Sequence, residues 1–267
     1  MKQKATHGYA PINGLNLYYE IHGAGQPLLL MGGGFMTIDA LGPLLPALAA
    51  TRQVIAVELE GHGHTADPDR PLRFEQMADD IAALIEHLKL DRTDLFGYSL
   101  GGGVALQTAI RHPGMARRLV VMSAPFKRSG WYPETLAGMA AITPEGFAGT
   151  PPYEAYLRSA PDPDHWPAFV AKVRQLLGED YDWSADVAAL KAPILIVIGD
   201  ADGISPAHAA EMFGLLGGGQ MDGFARGRPP SQLAILPGAT HLDMVARTDL
   251  LLSNITPFLD APIPADA

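Results

Sequence analysis

The sequence predicts an α/β fold in which helices cover both faces of a mostly parallel β-sheet. Short continuous apolar runs, typical of buried parallel strands, alternate along the chain with helical patterns. The length of 267 residues suits one large domain of this class, with room for an inserted subdomain. A third observation is a Gly-x-Ser-x-Gly frame at residues 97–101, between an apolar run and an amphipathic run. A serine at such a strand-to-helix corner fits the same fold class.

The strands are predicted from an N-terminal hairpin onward. Leu15–Ile21 alternates between apolar and polar residues after the turn signal Asn13-Gly14. Buried strands are predicted from apolar runs bounded by Gly, Pro or charged residues, at 28–31, 54–57, 94–96, 119–122, 194–198 and 233–236. The clearest helical pattern runs from Phe74 to Leu88, and Val104–Ile110 predicts the helix that follows the Gly-x-Ser-x-Gly frame.

The alternation of strands and helices breaks once, between Met122 and about Lys191. This stretch contains all three tryptophans and shows helical patterns without a buried strand, at 134–141, 153–158 and 167–177. We interpret it as a helical insertion over the carboxyl edge of the sheet, where α/β sheets bind ligands. An ordinary pair of surface helices is the alternative. The predicted domains are a core at 1–125 and 192–267 and a helical cap at 126–191.

Composition excludes several classes of partner and chemistry. The net charge of −10 and the lack of a Lys/Arg cluster argue against nucleic acid. No apolar stretch reaches membrane-spanning length, and the N-terminus lacks the apolar core of a secretory signal. The absence of cysteine rules out disulfides and thiolate nucleophiles. We expect a cytoplasmic protein whose partner is a small molecule, with no nucleic acid and no membrane, and the oligomeric state stays open.

Ser99, at the centre of the Gly-x-Ser-x-Gly frame, is the candidate nucleophile. A strained turn between a strand and a helix would hold its hydroxyl exposed above the sheet edge, and the flanking glycines would permit the tight turn. A serine hydroxyl is a weak nucleophile at neutral pH, so it needs a neighbouring base and a carboxylate that orients the base. The structural alternative is a glycine-rich turn in which the serine has no catalytic role.

The candidate acid follows the predicted strand 194–198. Asp200 and Asp202 both lie where this strand leaves the core. Asp202 is further into the loop and better placed to reach a second loop, whereas Asp200 is expected to cap the turn. A helix cap or Asx turn before Pro206 is the structural alternative for Asp202.

The candidate base is His241, which follows the predicted strand 233–236 and a Gly-containing turn. The other eight histidines lack that context. The order Ser99, Asp202, His241 along successive strand ends therefore predicts one catalytic group.

Backbone N–H groups are the expected donors to the oxyanion that forms during attack on a carbonyl. Leu100, directly after the nucleophile, supplies one N–H. The loop Met31-Gly32-Gly33-Gly34-Phe35 supplies the other, with Gly33 as the first candidate and Gly34 as the second. A phosphate site is not favoured here, because the loop lacks the Gly-x-Gly-x-x-Gly spacing and a following Lys-Ser/Thr.

Ser99, Asp202 and His241, in this order, resemble a serine esterase of the α/β-hydrolase superfamily. The resemblance covers nearly the whole chain. It implies an eight-stranded, mostly parallel sheet with a helical cap inserted after the sixth strand. It also implies that Gly61-His62-Gly63-His64-Thr65 is a structural turn, so His62 and His64 are not counted as catalytic.

The chain departs from the superfamily's pattern in two places. Many members carry His-Gly before the oxyanion residue, where this chain has Met31-Gly32. The spacing between Asp202 and His241 is longer than usual because of a polar stretch at 217–230, and the role of that stretch stays open.

The resemblance implies a serine hydrolase that cleaves carboxylic esters, lactones included, through an acyl-enzyme on Ser99, with no cofactor and no metal. A serine nucleophile excludes relatives that use aspartate there, namely epoxide hydrolases and haloalkane dehalogenases. Two alternatives stay open: a perhydrolase of the cofactor-free haloperoxidase type, and a low-turnover ligand sensor. Clustered aromatic residues predict an apolar substrate, and the expected pocket residues are Phe35, Trp131, Tyr132 and Trp166.

Overall fold

The computed structural model describes residues 5–221 and 229–262 and contains one eight-stranded sheet. Its strands are β1 (Thr6–Ile12), β2 (Leu15–His22), β3 (Pro27–Met31), β4 (Gln53–Val57), β5 (Thr93–Tyr98), β6 (Ala116–Met122), β7 (Ile194–Ala201) and β8 (Gln232–Thr240). Their order is β1-β2-β4-β3-β5-β6-β7-β8, with β2 antiparallel to both neighbours and all later pairs parallel. The predicted mostly parallel sheet of eight strands is confirmed.

Helices cover both faces of this sheet. They are α1 (Leu44–Ala49), α2 (Phe74–His87), α3 (Leu100–Arg111), α4 (Pro133–Ala140), α5 (Pro151–Ser159), α6 (Trp166–Gly178), α7 (Ser184–Ala189), α8 (Pro206–Leu215) and α9 (Thr248–Asp260). Successive side chains of β3 enter opposite cores. Leu29 and Met31 belong to the core that contains α2 and α3, whereas Leu28 and Leu30 belong to the core of α1 and α9. Burial on both faces explains why the strands are continuous apolar runs.

Strand β8 is longer than its apolar run suggested. The prediction covered 233–236, but the strand continues through Pro237 and Gly238 to Thr240. β8 lies at the edge of the sheet, where a proline is tolerated because no further strand needs its missing N–H. The extension matters for the site, because His241 now follows the end of the strand directly.

The insertion between β6 and β7 contains α4, α5, α6 and α7, and none of the eight strands lies in it. Helix α6 joins it to the core: the Phe169 ring meets the His62 ring at 4.9 Å. In addition, Lys172 Nζ donates to Asp67 Oδ1 at 2.8 Å and to the Pro68 carbonyl at 2.5 Å. We keep the term cap for residues 126–191, the predicted boundaries.

Two predictions from the sequence, on the polar stretch at 217–230 and on membrane spans, can be compared only with the described residues. The polar stretch at 217–230 falls largely on residues 222–228, which lie outside the described part of the chain. Within the described ranges, none of the helices combines the length and the apolar character needed to cross a membrane.

Candidate active site

Ser99 lies at the corner between β5, which ends at Tyr98, and α3, which begins at Leu100. Its backbone has φ 53° and ψ −116°, a conformation that L-residues rarely adopt and that persists only when its surroundings hold it. The Ser99 N–H donates to the Met122 carbonyl at 2.8 Å, and the Ser99 carbonyl accepts from the Gly102 N–H at 2.9 Å. The strained turn is therefore fixed from both sides.

The flanking glycines of the frame are required by close backbone approach. A Cβ on Gly97 would lie 2.0 Å from the Gly101 carbonyl oxygen. A Cβ on Gly101 would lie 2.6 Å from the carbonyl oxygens of both Met31 and Gly32. The Gly101 N–H also donates to the Gly32 carbonyl oxygen at 3.1 Å, which connects the start of α3 to the loop after β3. No side chain fits between these segments, so the sequence carries glycine at both positions.

The structure brings His241 to Ser99. Ser99 Oγ lies 3.0 Å from His241 Nε2, within hydrogen-bond distance although the residues are 142 positions apart. The edge of Trp131 packs against the imidazole at 5.3 Å between ring centres, and Tyr98 packs at 5.5 Å. The Tyr98 hydroxyl donates to the His241 carbonyl. Position and orientation of the imidazole are thus set by its neighbours.

Asp202 lies on the other side of the same imidazole, with Oδ1 2.9 Å from His241 Nδ1. Its second oxygen, Oδ2, accepts from Ser123 Oγ at 2.6 Å and from the Gly199 N–H at 3.4 Å. Burial alone would raise the pKa of Asp202, but the hydrogen bonds from His241, Ser123 and Gly199 and the proximity of the imidazole outweigh it and hold that pKa below its usual value. Asp202 is therefore a buried, ionised carboxylate aimed at the imidazole.

Ser123 is the site residue that sequence reasoning missed. It directly follows β6, is fully buried and has φ 51°. Its hydroxyl gives the buried Oδ2 of Asp202 a short hydrogen bond, where only the long one from the Gly199 N–H would otherwise remain. The available signal was a serine at the carboxyl end of a buried strand, β6, which pairs with the strand that precedes Ser99.

The choice between the two aspartates follows from their partners. Asp200 is exposed, and its Oδ1 accepts from the Gly238 N–H at 2.8 Å, so it binds the backbone of β8. The helix cap considered for Asp202 belongs to Ser205, whose Oγ accepts from the Ala207 N–H at the start of α8. The structure thus places Asp202, not Asp200, against His241.

Gly33 and Leu100 both lie beside Ser99. Leu100 is the first residue of α3, where an N–H has no acceptor within the helix. A Cβ on Gly33 would lie 3.3 Å from the Cβ of Ser99, whereas one on Gly34 would face Val173 of the cap. The Gly33 N–H donates to Met36 Sδ at 3.3 Å, a weak acceptor. Of the two glycines, Gly33 is thus the one adjacent to the serine.

A cavity of about 410 Å³ opens beside Ser99 and His241. Gly33 and Phe35 contribute from the core, and the cap contributes apolar side chains, among them Met139, Ile142, Phe147, Val173 and Leu177. No Lys, Arg, Asp or Glu is among its described lining residues. Ser99 and His241 therefore border a chamber that is otherwise largely apolar.

Two of the four predicted pocket residues border a space beside Ser99, and two do not. Phe35 lines the large cavity, and Trp131 lines a smaller space on another side of Ser99. The prediction that Tyr132 and Trp166 line the substrate pocket is wrong, because neither borders these spaces. Tyr132 is 41% exposed at the start of α4. Trp166 is only 4% exposed and packs inside the cap against other aromatic rings, those of Phe35, Phe147, Tyr153, Tyr156 and Phe169.

The Gly-His-Gly segment forms a buried turn in which both histidines have structural partners. His62 Nδ1 lies 2.9 Å from the Glu60 carbonyl, and burial lowers the pKa of His62 to about 4. His64 Nδ1 lies 2.9 Å from Glu58 Oε2. Neither imidazole bonds to Ser99. Among the described residues, no group of His, Asp and Glu side chains is arranged to hold a metal ion.

Comparison with known proteins identifies one family, and the relatives within it are named for different activities. A sequence model of the Alpha/beta hydrolase family matches residues 21–252. A protein of Azorhizobium caulinodans named "Putative carbamate hydrolase RutD" is 25% identical over 259 residues, covering 87% of this chain and 91% of that protein. The 2-hydroxymuconate semialdehyde hydrolase of a Pseudomonas species is 37% identical over 106 residues, 38% of each chain. In structure, a meta-cleavage product hydrolase from Pseudomonas fluorescens covers 97% of this chain and 98% of its own, at 21% identity and a TM-score of 0.74.

Proposed function

Because the chain belongs to the Alpha/beta hydrolase family, we propose that it hydrolyses carboxylic esters, lactones included, through an acyl-enzyme on Ser99. The observation that carries this proposal is the continuous chain of hydrogen bonds from Ser99 Oγ through His241 to Asp202, with distances of 3.0 and 2.9 Å. Family membership supports hydrolase activity, and the site geometry supports acyl transfer to water. The apolar chamber, whose described lining contains no Lys, Arg, Asp or Glu, supports a neutral substrate.

In the first half of the proposed reaction, Ser99 Oγ attacks the ester carbonyl carbon while His241 Nε2 accepts its proton. The negative charge that develops on the carbonyl oxygen is stabilised by the N–H groups of Leu100 and Gly33. Gly33 must exchange its weak bond to Met36 Sδ for a bond to this oxygen. Asp202 stays ionised and stabilises the imidazolium that forms.

The tetrahedral intermediate then collapses. The bond to the leaving alkoxide oxygen breaks as His241 Nε2 returns the proton to that oxygen, which leaves an alcohol and an ester of Ser99. A water molecule takes the place of the alcohol beside His241, loses a proton to Nε2 and attacks the acyl carbon. The resulting acid departs as the proton returns to Ser99 Oγ.

The relatives' names are compatible with this chemistry without naming a substrate for this chain. The protein of Azorhizobium caulinodans is named for a carbamate, which like an ester carries a carbonyl carbon open to nucleophilic attack. The relative from a Pseudomonas species is named for a semialdehyde. The ester proposal therefore depends on the arrangement of Ser99, His241 and Asp202.

Active-site labelling tests the proposal. A fluorophosphonate should label the protein at one residue, Ser99, and abolish ester hydrolysis in proportion to labelling. Ser99→Ala should lose both properties and keep its melting temperature to within a few degrees. Undiminished ester hydrolysis by Ser99→Ala would overturn the proposal. Peracid formation that exceeds hydrolysis when hydrogen peroxide is added would assign the perhydrolase activity, and tight ligand binding without turnover across an ester panel would assign a sensor.

A further inference from the structure

Two separate spaces meet at Ser99, and they differ greatly in size. The large one, about 410 Å³, is bordered by His241 and Gly33. The small one is about 20 Å³ and is bordered by Trp131, Phe74 and Gly103 among others. Ser99 and Leu100 border both. An ester attacked at Ser99 has two substituents on its carbonyl carbon, so each substituent must enter one of these spaces.

The small space has room for about one group the size of a water molecule. Its walls are packed on their far sides. The Phe74 ring lies 5.3 Å from Trp183, and the Tyr181 ring stacks on Trp183 at 4.4 Å. A Cβ on Gly103 would lie 2.5 Å from Phe74, which shows how closely α3 approaches that ring. Only a methyl group fits here without displacing buried aromatic rings.

The position of His241 decides which substituent goes where. His241 Nε2 must give a proton to the oxygen of the leaving alcohol, so that oxygen lies within hydrogen-bond distance of Nε2. His241 borders the large space and not the small one. The alcohol group therefore extends into the large space, and the acyl chain is left with the small one. Departure of the alcohol also clears room beside His241 for the water that cleaves the acyl-enzyme.

The charge of the lining residues further restricts which alcohol groups the large space accepts. The described lining of the large space carries no Lys or Arg, and the chain's net charge is −10. A carboxylate on the substrate would lose its hydration there without an opposite charge or a fixed donor to replace it, which is costly. The chamber thus favours neutral, apolar alcohol groups.

Building on the proposed function, we propose that this enzyme is specific for neutral esters that join an acetyl group to a bulky apolar alcohol. Two isomeric esters of equal composition, hexyl acetate and methyl heptanoate, test the assignment directly. We expect kcat/KM for hexyl acetate to exceed that for methyl heptanoate by at least roughly 10- to 200-fold, the effect of even one methylene group that does or does not fit. Equal or reversed values would overturn the proposal.

A second substrate tests the expected preference for neutral alcohol groups. 6-Acetoxyhexanoate keeps the acetyl group and the chain length of hexyl acetate but has a carboxylate in place of the terminal methyl group. We expect its kcat/KM to be at least about tenfold lower, because the carboxylate must be desolvated in an apolar space. A value equal to that of hexyl acetate would show that neutral substrates are not selected.

A matched pair of variants locates the acyl preference, measured as kcat/KM for methyl acetate over methyl heptanoate. Phe74→Leu, which widens the small space, should lower this ratio by about tenfold. Ile142→Ala, in the wall of the large space, should leave the ratio as in the wild type. The opposite pattern would place the acyl chain in the large space and overturn the assignment.

The fluorophosphonate experiment separates the two proposals. A protein whose Ser99 is labelled and which hydrolyses both isomers equally well keeps the proposed function and loses this inference. A protein that is neither labelled nor active loses both. If Phe74→Leu does not fold, the isomeric esters still decide with the wild-type protein.

Discussion

The core and the cap contribute different kinds of groups to the same chamber. The core supplies the reactive ones, Ser99, His241 and Asp202, each at or just after the end of a strand and each held by hydrogen bonds. The cap contributes apolar side chains to the chamber, including Met139 and Val173. In this protein, the groups proposed for chemistry therefore come from the core alone, whereas the apolar wall is shared between the core and the cap.

The two parts also differ in how firmly they are held. Ten of the twelve residues of α3, which begins at Ser99's neighbour Leu100, are buried. In the cap, α4 buries none of its residues and α5 buries only Tyr156. Fewer buried contacts mean that local opening of α4 costs less free energy than opening of α3. Rigid geometry is thus concentrated where the reacting atoms must be aligned, and the part of the wall formed by α4 and α5 is more adaptable.

The largest expected effect is the loss of the buried carboxylate. Asp202→Asn should lower kcat/KM for an ester by roughly a thousandfold or more, because an amide cannot stabilise the imidazolium and favours the wrong tautomer of His241. The measurement is steady-state hydrolysis of hexyl acetate. Asp200→Asn is the matched control, since an amide oxygen can still accept from the Gly238 N–H, and it should stay within about twofold of the wild type. Equal losses in the two variants would show that the core carboxylate has been misassigned.

The second effect is the loss of the Ser123 hydroxyl. Ser123→Ala leaves Asp202 Oδ2 with only the long bond from Gly199, so the carboxylate is less well fixed. We expect kcat to fall by about tenfold, the effect of roughly one to two kcal/mol, with KM little changed. Ser205→Ala removes a hydroxyl nearby on the chain that caps α8 and does not touch Asp202. That control should lose stability rather than activity; a larger fall in kcat for Ser205→Ala would remove Ser123 from its positioning role.

The contrast between core and cap also explains what the sequence could predict. Buried strands appear as apolar runs, and the residues that follow them must meet at one edge of a parallel sheet, so Ser99, Asp202 and His241 could be chosen by position alone. Ser123 was missed although it also follows a strand. Its bond to Asp202 joins residues 79 positions apart, and no local pattern contains that contact.

The cap was harder to predict in detail for a physical reason. Three of its helices, α4, α5 and α6, were predicted from the sequence and α7 was not. An aromatic side chain is equally suited to a cavity wall and to an interior. Trp166 turned out to be interior and Tyr132 exposed, whereas Phe35 borders the chamber. Which face of a cap helix meets the core depends on packing between segments distant in sequence. The roles of the core residues were therefore more predictable than those of the cap.

A cap substitution should change substrate selection while sparing the reactive serine. Phe147→Ala removes a ring that borders the chamber and packs against Phe35 at 4.6 Å. We expect KM for hexyl acetate to rise by about tenfold through lost apolar contact, with kcat within about threefold of the wild type. The rate of labelling by a small fluorophosphonate should stay close to that of the wild type. A fall in labelling as large as the rise in KM would mean that the cap also aligns Ser99.

The smallest effect concerns the junction of core and cap as a function of pH. His208 on α8 stacks on Phe126 at 4.3 Å between ring centres, and its Nε2 accepts from the Phe126 N–H at 3.3 Å. Burial lowers the pKa of His208 to about 4, although the nearby carboxylates of Glu211 and Asp182 oppose the shift and Lys127 adds to it. The neutral imidazole is therefore the form that fits this junction.

The sign of the pH effect follows from these values. The unfolded chain has the ordinary histidine pKa of about 6.5, so between pH 6.5 and pH 4 it binds a proton that the folded protein excludes. The stabilisation is complete above pH 6.5 and is lost as the pH falls toward 4. His62, also lowered to about 4, acts in the same direction. We expect the melting temperature to drop by several degrees from pH 7 to pH 5. His208→Gln, whose amide oxygen can accept from Phe126 without titrating, should show a smaller drop. His87→Gln, at the exposed end of α2, should follow the wild type. A His208→Gln protein that keeps the full drop would show that this junction does not respond to pH.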